Sequence, residues 1–153
     1  MKKTILLLLI FYIPNHILSN EIEKNKILNT LVKYNYEFIE ANYDEIINYF
    51  TFPVSINMSE TTLNMIKEKK LKIFYKDLRG GLPNDYSHSD WKKMDVKILN
   101  DDIAIANTMF TRYKKNGEAY YTGAALYYFR KIDDSWKIFS LTPYKPYNYF
   151  AFE

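Results

Sequence analysis

The sequence predicts an α+β domain in which helices come first and an antiparallel meander follows. Three observations carry this reading. Residues 94–142 read as strands at 103–114, 118–132 and 136–142, joined by tight turns at Asn116-Gly117 and Asp133-Asp134-Ser135. A shorter alternating strand precedes them at 91–99, where Met94, Val96 and Ile98 interleave with Lys93, Asp95 and Lys97. Upstream of it the apolar residues recur mostly at helical spacing.

The elements follow in order. Residues 22–40 set Ile27, Leu28, Leu31, Val32, Phe38 and Ile39 along one stripe, a helix with one buried face. Asn42 interrupts it, and Glu45 three residues on suggests a capping box opening a short helix over 43–50. Pro53 bars helix and removes a backbone donor, so Phe52 to Asn57 reads as an edge strand. Ser59 is placed to cap a third helix at 60–78, with Leu63, Ile66, Leu71, Phe74 and Leu78 apolar and Gly80 just past its end. Residues 79–87 form a helix-to-strand connection; its Gly-Gly pair lacks the Lys and Ser/Thr of a phosphate loop. Asn116-Gly117 is the preferred pair for a two-residue type I′ turn. That turn would set Tyr113 opposite Tyr120, Thr111 opposite Thr122, Asn107 opposite Leu126 and Ile105 opposite Tyr128.

Composition supplies an address and excludes some chemistry. Lys2 and Lys3, the apolar run 5–13, Pro14 and Ile17-Leu18-Ser19 form the pattern of a secretory signal over 1–19. The run is too short to span a bilayer comfortably, and an uncleaved anchor is the rival reading. The mature domain would be 20–153, exported to the periplasm or beyond, with no membrane association apart from the signal segment. Losing Lys2 and Lys3 takes the formal charge from +3 to +1. Near-neutrality argues against nucleic-acid binding. There is no cysteine, which rules out disulfides, thiol catalysis and thiolate metal sites. No metal and no cofactor is expected.

The hairpin is apolar on both faces. Ile103, Ile105, Met109, Ala124, Leu126 and Tyr128 share one; Ala104, Ala106, Phe110, Ala125, Tyr127 and Phe129 share the other. An antiparallel sheet wetted on one side alternates with polar residues. Helices can cover one face. A sheet-to-sheet homodimer, or sharp curvature of the sheet, would cover the other. The tail 144–153 is too aromatic to be a disordered end, and is expected to dock on the body or on a partner subunit.

The order of elements resembles the nuclear transport factor 2-like (SnoaL-like) superfamily. The resemblance spans roughly 23–142. Asn42-Tyr43-Asp44-Glu45 matches the break between the first helices, and Phe50-Thr51-Phe52-Pro53-Val54 the segment after the second. Asp101-Asp102-Ile103-Ala104 matches the turn before the central strand. Tyr127-Tyr128-Phe129-Arg130-Lys131 with Asp133-Asp134-Ser135-Trp136-Lys137-Ile138 matches the closing hairpin. The resemblance implies a cone-shaped curved sheet of four to six strands wrapped around three N-terminal helices, with a pocket at the open end. The superfamily includes isomerases, dehydratases, cyclases and non-enzymatic binding domains, so fold alone does not give function.

Its enzymes typically use an inward-pointing acid. Here Asp95 alternates with apolar residues and should face water, and the other acids of the meander lie in or beside turns. Asn107, Thr122 and Tyr128 share one hairpin face and are the candidate ligand-binding residues. His88 joins them as the one histidine of the mature chain. Catalytic residues are not identified. The expectation is a non-enzymatic ligand-binding or accessory module with an apolar pocket. An isomerase or lyase acting on a hydrophobic small molecule, through His88 or a Tyr with an unplaced carboxylate, is the alternative.

Overall fold

A computed structural model describes residues 15–152 of the chain, so the apolar run of the predicted export signal lies outside the described residues. The first helix, α1, runs from Asn15 to Ile39. Its buried stripe is Ile27, Leu31, Tyr34 and Phe38, repeating at steps of four and three. Val32, expected in that stripe, is half exposed, and Tyr34 takes the inward place. The helix ends where Ala41 turns left-handed (φ 56°) and the Asn42 N–H returns to the Glu37 carbonyl at 2.9 Å, a Schellman closure.

The capping box does not form. The Asn42 amide donates to Glu37, and Glu45 accepts from Asn48 instead. The short second helix, α2, spans Tyr43–Ile46 and tightens into a 3-10 turn at Ile47–Tyr49. Strand β1 is Phe50–Asn57 and strand β2 is Thr62–Met65. The expected helix start at 60 is thus a hairpin arm, with Ile56 paired to Leu63 and Val54 to Met65. Helix α3 begins only at Glu68 and ends at Gly80, burying Leu71 and Tyr75. Leu63 and Ile66 are exposed; their helical spacing is coincidental.

Four long strands complete a six-stranded sheet: β3 (Tyr86–Ile98), β4 (Ile103–Lys114), β5 (Ala119–Ile132) and β6 (Ser135–Tyr144). The order is β2-β1-β6-β5-β4-β3. Only β1 against β6 is parallel. β1 is therefore internal, not an edge. Pro53 is tolerated because the β1–β6 register breaks between Phe50 and Ser55.

The hairpin register is as expected from Ile103 opposite Arg130 down to Arg112 opposite Tyr121. Beyond that it shifts, and Tyr113 pairs with Ala119, not Tyr120. The cause is the turn. Lys114 and Glu118 close a three-residue loop in which Gly117 alone has positive φ, 85°. The two-residue turn of I′ type sits at Asp133-Asp134, both left-handed (φ 46° and 59°), between Ile132 and Ser135.

The sheet is curved and open, a cone with the helices against its inner face. Register shifts in β3 near Tyr86 and Trp91, in β5 near Tyr120, and between Tyr128 and Phe129 accompany the curvature. Tyr34 and Phe38 of α1, Tyr75 of α3 and Tyr127 and Phe129 of β5 form the aromatic centre of the core. Trp136 ties the start of α1 to β6 by donating to Glu23 at 2.7 Å.

The outer face is partly covered by the chain's own tail. Tyr144 donates to the Asn107 side chain, the Asn107 amide donates to the Phe150 carbonyl, and the Phe152 N–H donates to Asp95. Lys93 lies 4.7 Å over the Tyr149 ring. Asp95, expected to face water, thus holds the tail.

Candidate functional site

The inner face carries a cavity of about 210 Å³. Its floor and walls come from each layer of the cone. α1 supplies Tyr34, Asn35 and Phe38, and α3 supplies Phe74, Tyr75 and Leu78. The sheet supplies Trp91, Phe110, Arg112 and Tyr127 among others. Met58, Leu78 and Tyr121 are substantially exposed and make an apolar rim.

Strand alternation explains the selection. Ser89 pairs with Arg112 and Trp91 with Phe110, so these four share the face that meets the helices. Phe110 pairs with Gly123, and a β-carbon there would sit 2.6 Å from the Phe110 ring. Gly123 is the space into which that ring lies, and its absent side chain keeps the wall flat.

Most polar groups of the wall are already occupied. Tyr34 and Tyr75 join hydroxyls at 2.9 Å, and the Tyr127 phenol faces the same pair. Asn35 donates to the Ser89 carbonyl at 2.7 Å, the Ser89 hydroxyl meets Tyr86 at 2.9 Å, and the Trp91 indole donates to the Leu31 carbonyl at 3.3 Å. Burial pushes the phenols of Tyr34, Tyr75 and Tyr127 upward, the last two well above the ordinary value. Arg112 differs. Its guanidinium lies among the rings of Phe38, Phe110 and Tyr121, and its Nε is buried without a hydrogen-bond partner.

The four residues singled out from sequence lie on the other side of the sheet. Asn107 is fully buried, but beneath the tail. Thr122 is exposed and shares a hydroxyl contact of 3.1 Å with Thr111. Tyr128 packs near Phe139, ring centroids 6.2 Å apart. His88 stacks on Tyr113 at 4.9 Å, with its Nε2 3.9 Å from Asp90. None lines the cavity. Sequence reasoning chose the face with more polar residues, whereas the helices close over the other. Arg112, which shares the helix-facing side with Phe110, Tyr127 and Phe129, was not singled out. Among the described residues no group of histidine and carboxylates is arranged to hold a metal ion, and no helix is long and apolar enough to cross a membrane.

A family model described as NTF2-like protein (DUF6841) matches residues 23–146. No curated protein matches the chain. Among solved structures, the chain is similar to a Nostoc punctiforme protein of unknown function with a cystatin-like fold. The TM-score is 0.69 at 10% identity, covering 80% of this chain and 90% of that one. It is similar to an NTF2-like protein with a cystatin-like fold from Novosphingobium aromaticivorans, TM-score 0.68 at 10% identity, covering 84% and 82%. It is also similar to a structure from that organism named "Putative Scytalone Dehydratase", TM-score 0.63 at 12% identity, covering 81% and 84%. Identities this low establish the shared fold alone.

Proposed function

The chain belongs to the NTF2-like protein family DUF6841, and we propose that it is an exported, non-enzymatic module that binds one small apolar molecule in its inner cavity. The observation that carries the reading is the cavity itself, about 210 Å³ and walled mainly by aromatic and aliphatic side chains. An apolar hole of roughly 150 Å³ already accepts a benzene ring, so this one has room for a substituted ring. The titratable groups of the wall are phenols and a guanidinium. Both are poor proton acceptors near neutral pH, and burial makes the phenols of Tyr34, Tyr75 and Tyr127 weaker acids still. This favours holding a ligand over abstracting a proton from it. The isomerase or lyase reading keeps the support of fold likeness to the dehydratase-named structure, and would need a base from outside this wall.

The same proposal includes a homodimer through the outer face of the sheet. Ile105, Met109, Leu126 and Tyr128 there remain partly exposed beside the tail, whose Phe150 is 48% exposed and Tyr147 76%. Native mass spectrometry of the mature protein from its own host tests both parts. The expected spectrum is a dimer carrying one retained small-molecule mass per subunit. A monomer would remove the dimer, and a bare chain that also binds no apolar fragment would remove the ligand.

A further inference from the structure

We propose that the molecule held in this cavity is a small carboxylic acid with a flat apolar body, its carboxylate received by Arg112. This rests on the cavity being a ligand site and adds the chemistry of the ligand. Arg112 forms part of the wall, with its guanidinium carbon 5.7 Å from the Phe38 ring centre, 5.2 Å from Phe110 and 5.1 Å from Tyr121. Contacts with ring faces steady the cation but take up none of its N–H donors. No carboxylate pairs with it among the described residues, and its Nε is buried with no acceptor. A buried donor without an acceptor is a standing cost that a suitable ligand removes.

Most neighbouring polar groups are paired with one another, and the Tyr120 hydroxyl, on which Arg112 bears electrostatically, is buried without a hydrogen-bond partner and so does not accept from it. Tyr34 holds Tyr75, Asn35 holds the Ser89 carbonyl, Ser89 holds Tyr86, and Trp91 holds Leu31. Arg79, at the end of α3, extends the positive region. Its guanidinium lies 4.3 Å over the Tyr86 ring, and its Nε is also buried without a partner. Both arginines bear electrostatically on Tyr86 and Tyr120.

The wall selects within the class of anions. A single guanidinium in the cavity suits a monoanion, and its planar fork matches a carboxylate bidentately. A phosphate would bring more charge than the single guanidinium of the lining balances, because Arg79 lies outside that lining. Trp91, Phe110 and Tyr127 offer ring surfaces to a flat body, and the volume limits that body to about one substituted ring.

Benzoate and benzamide, nearly equal in shape and different in charge, separate the two claims. Both are titrated by ligand-observed NMR against the wild-type protein, Arg112→Met and Arg112→Lys. The expected result is at least tenfold tighter binding of benzoate by the wild type. Arg112→Met should erase that preference, and Arg112→Lys should restore part of it. Equal affinities in the wild type, or a preference that survives in Arg112→Met, would overturn the assignment while leaving the cavity as a neutral-ligand site. Failure of both probes to bind would overturn the cavity reading and this proposal with it. Should Arg112→Met not fold, the wild-type ratio and Arg112→Lys decide the question.

Discussion

Tyrosine decides much of this protein. Tyr34, Tyr75 and Tyr127 occupy inward positions that simple apolar patterning assigns to Leu or Ile, and each hides its hydroxyl by facing the others. Because a tyrosine also suits a wet surface, the stripe in α1 was legible through Ile27, Leu31 and Phe38 but not through Tyr34. Arg112 was missed for a related reason: one charge in a strand reads as a solvent-facing position until the face is known to be covered. The phenols give a test at this scale. Their folded pKa lies above the ordinary value near 10, so the folded state keeps protons that the unfolded state releases. Their contribution to stability is intact below about pH 10 and is lost as pH rises toward the folded values, by about 1.4 kcal/mol per pH unit for each phenol. An alkaline titration followed by phenolate absorbance and circular dichroism should show at least three tyrosines ionising together with loss of the fold. Smooth ionisation of every tyrosine with the fold intact would contradict this.

At the scale of elements, the strands were the most legible part. Alternation set β4 and β5, and the central register followed from a turn that has to fall between them. The turn type was not legible, because Asn-Gly serves a three-residue loop as well as a two-residue one and the difference lies in the conformation of Asn116. The start of the third helix was lost to coincidence: Leu63 and Ile66 fit a helical repeat, yet residues 62–65 pair with β1. The C-terminal segment was legible from its aromatic content, and the structure docks it on its own sheet. Removing residues 145–153 would strip the Asn107 amide of the Phe150 carbonyl and Asp95 of the Phe152 N–H. Two hydrogen bonds with a net worth of about 0.5–1.5 kcal/mol each would be lost, so a truncation after Tyr144 should melt roughly 3–10 °C lower in a domain of this size. An unchanged melting temperature would mean that the tail contributes nothing to the fold.

For the whole molecule, the sequence order of helices and strands indicated the cone, and the family match and the fold agree. What could not be read was which sheet face the helices close over, since both are apolar and only packing of α1 and α3 distinguishes them. That choice places the cavity, with Arg112 in its wall, on one face and the tail with a partly exposed apolar remainder on the other. The described residues contain two tryptophans, and they divide usefully, because Trp91 lines the cavity while Trp136, at the start of β6, is buried and donates to Glu23 away from that lining. Titrating the mature protein with toluene and following the two indole N–H resonances by NMR tests the central claim most directly. The account predicts a saturable shift of Trp91 with Trp136 unmoved. Neither resonance moving, or both moving together without saturation, would contradict a ligand cavity on the inner face.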